Sequence, residues 1–244
     1  MRQFGLGPRL TLALLLAALV LCGSPFIGVV TARPAPSERF ADRVRGDMFA
    51  GMAGDAAAMN RAMKLCEDTL AKDPENAEAL VWHGSGLLFL GGRAKRDDDA
   101  KGTQWMARAV REMDDAVAKA PDRISVLLPR GATLLEYSRH DPSPERARGN
   151  LQKALGDYEK VLGSQKSDWQ TLSVHARGEL LSGLAEGWLR AGDSDKARSY
   201  MERLQHDTEG SPYAARARDF LTAAAARKQL DWHCLGCHVA SAAH

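Results

Sequence analysis

The sequence predicts an all-α protein, and three observations carry that prediction. From about Ser37 to Lys228 the apolar residues recur at helical spacing. Long β-branched runs and Asn-Gly or Asp-Gly hairpin signals are missing over the same stretch. Aromatic residues are few and alanine is frequent, a composition that suits helices better than strands.

The periodicity places helices at about 37–51, 55–72, 76–91, 103–119, 123–138, 144–163, 168–191, 194–206 and 211–229. Each break between them has a chemical cause. Asp73-Pro74 ends the second segment and Ala120-Pro121 the fourth, because proline lacks the N–H that a helix interior needs. Gly91-Gly92 closes the third, and Asp141-Pro142-Ser143-Pro144 separates the fifth from the sixth. Gly192-Asp193 and Gly210-Ser211-Pro212 supply the last two turns, each pairing a residue that tolerates a left-handed backbone with a capping group or proline.

The breaks recur, and so do the residues between them. Leu184-Ala185, Trp188, Gly192, Ala197 and Met201 place a small residue after leucine, an aromatic three positions on, glycine at the turn and alanine at a close helix contact. The frame returns at Gly84, Leu87 and Gly91, with Ala62 and Cys66 in the preceding helix and the turn Asp73-Pro74-Glu75-Asn76-Ala77-Glu78-Ala79. It returns again at Ala109, Met113, Ala116 and Pro121, followed by Gly131 and Leu134. These residues resemble tetratricopeptide (TPR) repeats, over about residues 40–222.

The resemblance implies a TPR-like solenoid of helical hairpins, in which each pair hides its apolar face against the next. It implies a groove for peptides or protein surfaces and no catalysis. Gly84 to Gly131 and Pro74 to Pro121 are each 47 residues apart, longer than the 34-residue standard period. The excess is expected in lengthened inter-helix loops, at Arg93 to Thr103 and around Arg139 to Arg146.

The chain opens with Arg2 and Arg9, an apolar run from Leu10 to Cys22, and then Val30-Thr31-Ala32. A basic start, an apolar core and small residues at −3 and −1 make an export signal over residues 1–32, cleaved after Ala32. An uncleaved N-terminal anchor is the alternative, since the apolar character continues through Phe26 to Val30. Residues 33–39 then form a linker. The chain is expected to work in the periplasm or otherwise outside the cytoplasm.

The full chain has 33 basic and 31 acidic residues. Without Arg2 and Arg9 the charges balance, so no electrostatic case exists for nucleic acid or anionic lipid as partner. Of four cysteines, Cys22 lies in the leader and two belong to a single motif, leaving Cys66. That excludes a disulfide scaffold. No Ser-His-Asp order, His-Glu-x-x-His, P-loop or Gly-x-Gly-x-x-Gly arrangement is present, so a hydrolase or nucleotide enzyme is not indicated.

The chemistry sits in the tail, residues 230–244. Cys234-Leu235-Gly236-Cys237-His238 has the spacing for covalent haem attachment. Two thiols three positions apart match the two vinyl groups of the ring, and the adjacent imidazole of His238 is placed to ligate iron from below. One haem c is expected, with Trp232 placed to cover an edge of it. A self-contained cytochrome c domain wraps its haem in several helices after this motif, whereas Val239 to His244 follow it here. The haem is therefore expected against the helical body, against another protein or exposed, which favours electron transfer with a protein redox partner or a cytochrome complex.

The sixth ligand is open among His175, His206, His233, His244 and Met201. His233 and His244 share a short tail with His238, and Met201 occupies a repeat position normally used for packing. The alternative for the tail is zinc on His233, Cys234, Cys237 and His238, the right ligand types but crowded into adjacent positions. The chain would then be a non-redox envelope scaffold. A thiol-disulfide role would need a thioredoxin-like βαβ pattern, which is missing. Of the remaining candidates, Asp97-Asp98-Asp99 lacks the spacing of a calcium loop. Trp82, Trp105, Trp169 and Trp188 are expected at repeat interfaces, and Cys66 as an inert buried thiol.

Overall fold

A computed structural model describes residues 39–222, which are helical throughout, with no strand among them. The helices are α1 (Phe40–Met52), α2 (Ala56–Leu70), α3 (Ala77–Ala94), α4 (Asp99–Lys119), α5 (Ile124–His140), α6 (Pro144–Ser164), α7 (Val174–Arg190), α8 (Ser194–Asp207) and α9 (Pro212–Thr222). A short 3-10 turn, Trp169–Thr171, precedes α7. The leader 1–32, most of the linker and the tail 230–244 lie outside the described residues.

Local chemistry fixes where most helices begin. Asp55, Asn76, Asp98, Ser143, Ser173 and Asp193 each accept a hydrogen bond from the backbone N–H three residues on. A cap of this kind contributes about 1 kcal/mol by satisfying one orphan donor of the first turn. Gly54, Gly192 and Gly210, at φ of +120°, +89° and +78°, turn the chain after α1, α7 and α8. A side chain is disfavoured in that left-handed region, so glycine stands there.

Two expected features change. The lengthened loops are absent: α3 runs to Ala94 and α4 begins at Asp99, while α5 continues to His140 and α6 starts at Pro144. The 47-residue spacing is taken up by long helices, with 21 residues in each of α4 and α6. Asp98 caps α4 early, and Lys95 and Asp99 pair across the turn. Gly102 also lies so close to Lys95 that an added Cβ would stand 2.5 Å from its Cα. The charged run thus marks a tight turn and a solvated helix start. The helix expected from residue 168 begins instead at Val174. The Trp169 indole donates to Asp207 at 2.7 Å and holds the 3-10 turn against α8, and Ser173 then caps α7.

Successive helices pair as α1 with α2, α3 with α4, α5 with α6 and α7 with α8, and α9 packs on α8. The first helices also touch in series, α1 to α3, α3 to α5 and α5 to α7. The α3/α4 pair is antiparallel: Lys119 reaches Glu75 at one end while Gly102 meets Lys95 at the other. Each second helix buries a small residue and a larger one four positions later. These are Ala62 and Cys66, Ala109 and Met113, Ala154 and Tyr158, and Ala197 and Met201, none more than 2% exposed. Opposite them, an added Cβ at Gly84 would stand 2.7 Å from Met113 Cγ, and one at Gly131 3.3 Å from Asp157 Cβ. Small residues on one helix receive large ones from its partner, so the axes approach closely.

Charges are buried as well. Arg130 on α5 binds Asp157 on α6, and Arg139 on α5 and Arg190 on α7 both meet Glu186. Burial pushes the Asp157 and Glu186 carboxyls above the ordinary range, and their guanidinium partners oppose that rise. No helix among the described residues is long and apolar enough to cross a membrane.

Candidate functional site

Cys234, Cys237 and His238, with Trp232, His233 and His244, lie outside the described residues, which end twelve positions before Cys234. The structure bears on the body from which that motif extends. At its C-terminal end four elements converge. The start of α7 meets the start of α9 through His175 and Tyr213, and the 3-10 turn before α7 meets the end of α8 through Trp169 and Asp207.

His175 stands exposed in the first turn of α7, not in mid-helix as the expected boundary implied. Its Nδ1 lies 2.8 Å from the Tyr213 hydroxyl, which donates to Glu179 Oε1 at 2.6 Å. The Tyr213 ring is seated on Gly178, where an added Cβ would come within 2.6 Å of it. Glu179 is four residues after His175, so both project from the same face of α7 toward the one hydroxyl.

His206 is exposed near the end of α8, with Nδ1 2.9 Å from Asp207 Oδ1. The Asp207 carboxylate also receives the Trp169 indole N–H and Arg203 Nε. Burial opposes its charge, but the bonds from His206, Arg203 and Trp169 prevail and hold the carboxyl below the usual range. Met201 is fully buried core, as its repeat position leads one to expect.

One arrangement was not legible in the sequence. His83, on α3 and 3% exposed, places Nδ1 2.6 Å from Glu112 Oε2 on α4. Arg108 Nε donates to the other Glu112 oxygen at 2.7 Å. His83 Nε2 is 3.8 Å from Glu67 Oε1 on α2, beside a cleft of about 340 Å³ whose walls include Met63, Leu87, Leu90 and Trp105. Burial disfavours the Glu112 charge, yet His83 and Arg108 together keep its carboxyl below the usual range. The available signal was a histidine inside the apolar run Ala79 to Leu90.

Among the described residues no group of three or more His, Cys, Asp or Glu side chains is placed to hold a metal ion. Asp98 and Asp99 of the acidic run act as a cap and as a partner of Lys95. Trp82 and Trp169 are buried, and Trp105 and Trp188 are partly buried against the core. Cys66 is fully buried, and burial pushes its thiol up to about 12, so it is not a thiolate ligand at neutral pH. Comparison with known proteins finds no matching family model, no matching curated protein and no matching solved structure.

Proposed function

We propose that this protein is an exported monohaem c-type cytochrome subunit with a TPR-like body. Cys234 and Cys237 are its thioether sites and His238 its proximal ligand. The observation that carries the reading is the Cys234-x-x-Cys237-His238 motif in a chain that opens with an export signal. Each thiol adds its S–H across one vinyl group, so attachment requires reduced cysteines and no oxidant. Bound there, haem supplies a one-electron iron couple whose potential depends on axial ligand and burial.

The donor set fits that group: two thiols three positions apart in the sequence and one imidazole in the tail, with further imidazoles on the body at His175 and His206. The body's role is docking. The buried pairs Ala62/Cys66, Ala109/Met113, Ala154/Tyr158 and Ala197/Met201, each four residues apart on a second helix, support the TPR-like reading, because they repeat where that family places a small residue. The helical surface then engages an extracytoplasmic redox partner or cytochrome complex, relaying single electrons and turning over no substrate.

A haem stain of a denaturing gel with a pyridine haemochrome spectrum tests this. The protein is exported from a host with cytochrome c maturation machinery, beside Cys234→Ala/Cys237→Ala. Haem that survives denaturation in the parent and is missing from the variant is the expected result. A colourless parent would sink the reading and direct attention to zinc on the same tail.

A further inference from the structure

We infer that the cleft between α2, α3 and α4 receives a lysine side chain from a partner protein, its ammonium held by His83 Nε2 and the Glu67 carboxylate. The inference concerns the helical body alone and goes beyond the haem reading of the tail. It begins with a buried histidine of which only one nitrogen is used. His83 is 3% exposed, and its Nδ1 lies 2.6 Å from Glu112 Oε2. Burial opposes the Glu112 charge, but His83 and Arg108 preserve it, so the carboxylate accepts and Nδ1–H donates. That bond ties α3 to α4 and would satisfy a histidine with a purely structural role. In the neutral ring it leaves the Nε2 lone pair at the cleft, where Glu67 Oε1 stands 3.8 Å away, beyond hydrogen-bond distance.

Two acceptors therefore face one gap, and a single nitrogen placed between them can lie about 2.9 Å from both. An ammonium suits the gap, because two of its N–H bonds go to Nε2 and Oε1 and the third to water. A guanidinium would bring five donors in a rigid plane to the same two acceptors. A metal ion would find two protein ligands where zinc sites provide three or four.

The rest of the cleft suits a lysine stem. Met63, Leu87, Leu90 and Trp105 form apolar walls, along which the methylenes can lie while the head stays polar. Lys64 and Arg108 also border the cleft, but each is bound to a carboxylate, Asp68 at 2.9 Å and Glu112 at 2.7 Å. Two cations against Asp68, Glu112 and Glu67 leave one negative charge, at Glu67. The volume of about 340 Å³ is at the small end for a ligand site and admits a side chain, not a helix of about 10–12 Å diameter. Glu67 is 64% exposed, so the ammonium sits at the mouth, where a lone ion pair contributes little. A lysine presented by a docked protein has the surrounding interface to hold it there.

The test uses the full-length, isotope-labelled protein and imidazole nitrogen spectra that resolve the His83 tautomer. The probe is the peptide acetyl-Gly-Lys-Gly-amide. It should shift His83 Nε2 and the Leu87 and Leu90 amides saturably, whereas peptides with Nε-acetyl-lysine or glutamate at the centre should not. Glu67→Gln, at an exposed position, should weaken the lysine peptide by about fivefold or more, and Glu159→Gln on α6 should leave it unchanged. His83→Gln should abolish binding, and the Glu67 variant keeps the test decisive if the buried substitution folds poorly. Butylamine should bind more weakly than the peptide. No shift with the lysine peptide, an equal shift with the acetylated or glutamate peptide, or unchanged affinity in Glu67→Gln overturns the site. Butylamine binding more tightly than the peptide overturns the assignment to a protein partner, and zinc chloride shifting His83 at lower concentration than the peptide overturns the ammonium in favour of a metal.

Discussion

Arg130 on α5 grips Asp157 on α6 through two parallel hydrogen bonds of 2.7 Å, Nε to Oδ2 and Nη2 to Oδ1. Asp157 is 3% exposed, and Arg130 reaches on to Asp114 on α4 at 3.0 Å, with Lys153 completing the cluster from α6. Three helices of two successive hairpins are thereby tied by one guanidinium.

Removing that guanidinium strands a carboxylate in the core. Arg130→Ala should cost about 3–5 kcal/mol in urea unfolding at neutral pH, the range for breaking a buried pair from one side. The deficit has a defined pH dependence. Burial already raises the Asp157 pKa, and without Arg130 the rise is larger. The folded variant then takes up a proton that the unfolded chain releases, so its stability should improve as pH falls through the raised value. A deficit that is equal at pH 7 and about pH 5 would contradict this account.

The contact between α3 and α4 depends on a missing methyl group. An added Cβ at Gly84 would stand 2.7 Å from Met113 Cγ and 2.8 Å from the Ala109 carbonyl oxygen. Methionine can move, but the backbone carbonyl cannot without shifting α4. Gly84→Ala should lower stability by about 1–3 kcal/mol despite alanine's better helix propensity. Gly149, mid-helix in α6 with nothing within 4 Å of its Cβ position, is the matched control and should gain about 0.5–1 kcal/mol as alanine. Thermal or urea unfolding of the two variants checks the opposite signs.

Cys66 should be chemically silent in the folded protein. It has no exposed surface and its thiol is pushed up to about 12, first by burial and then by Glu67 and Glu112. Mass-spectrometric mapping after iodoacetamide treatment should find the Cys66 peptide unmodified at pH 8 and modified once urea unfolds the chain. Labelling of Cys66 in the native protein would show that the core around Ala62 and Met113 opens readily.

Helix placement was legible because it depends on neighbours in the chain. Asn76, Ser143 and Asp193 announce their helices by the capping chemistry of their own side chains, and Gly192 and Gly210 announce turns by the backbone they permit. The early start of α4 was obscured because a solvated first turn rich in Asp and Lys has the composition of a loop. The buried charges were obscured for the opposite reason. Arg130, Asp157 and Glu186 have the composition of a surface, and only the partner helix makes their burial tolerable. The relay from His175 through Tyr213 to Glu179 joins residues as far as 38 apart, a relation no local pattern encodes.

The short turns and neighbour-to-neighbour pairing of α1 to α9 keep contacts close along the chain. The longest described side-chain hydrogen bond by sequence separation, from Arg190 to the Leu135 carbonyl, closes 55 residues. A topology of this kind has low contact order and folds rapidly, because little loop entropy is lost before contacts form. Each hairpin can settle once the next has been synthesised, and loosening at one end weakens the adjoining hairpin before the distant one.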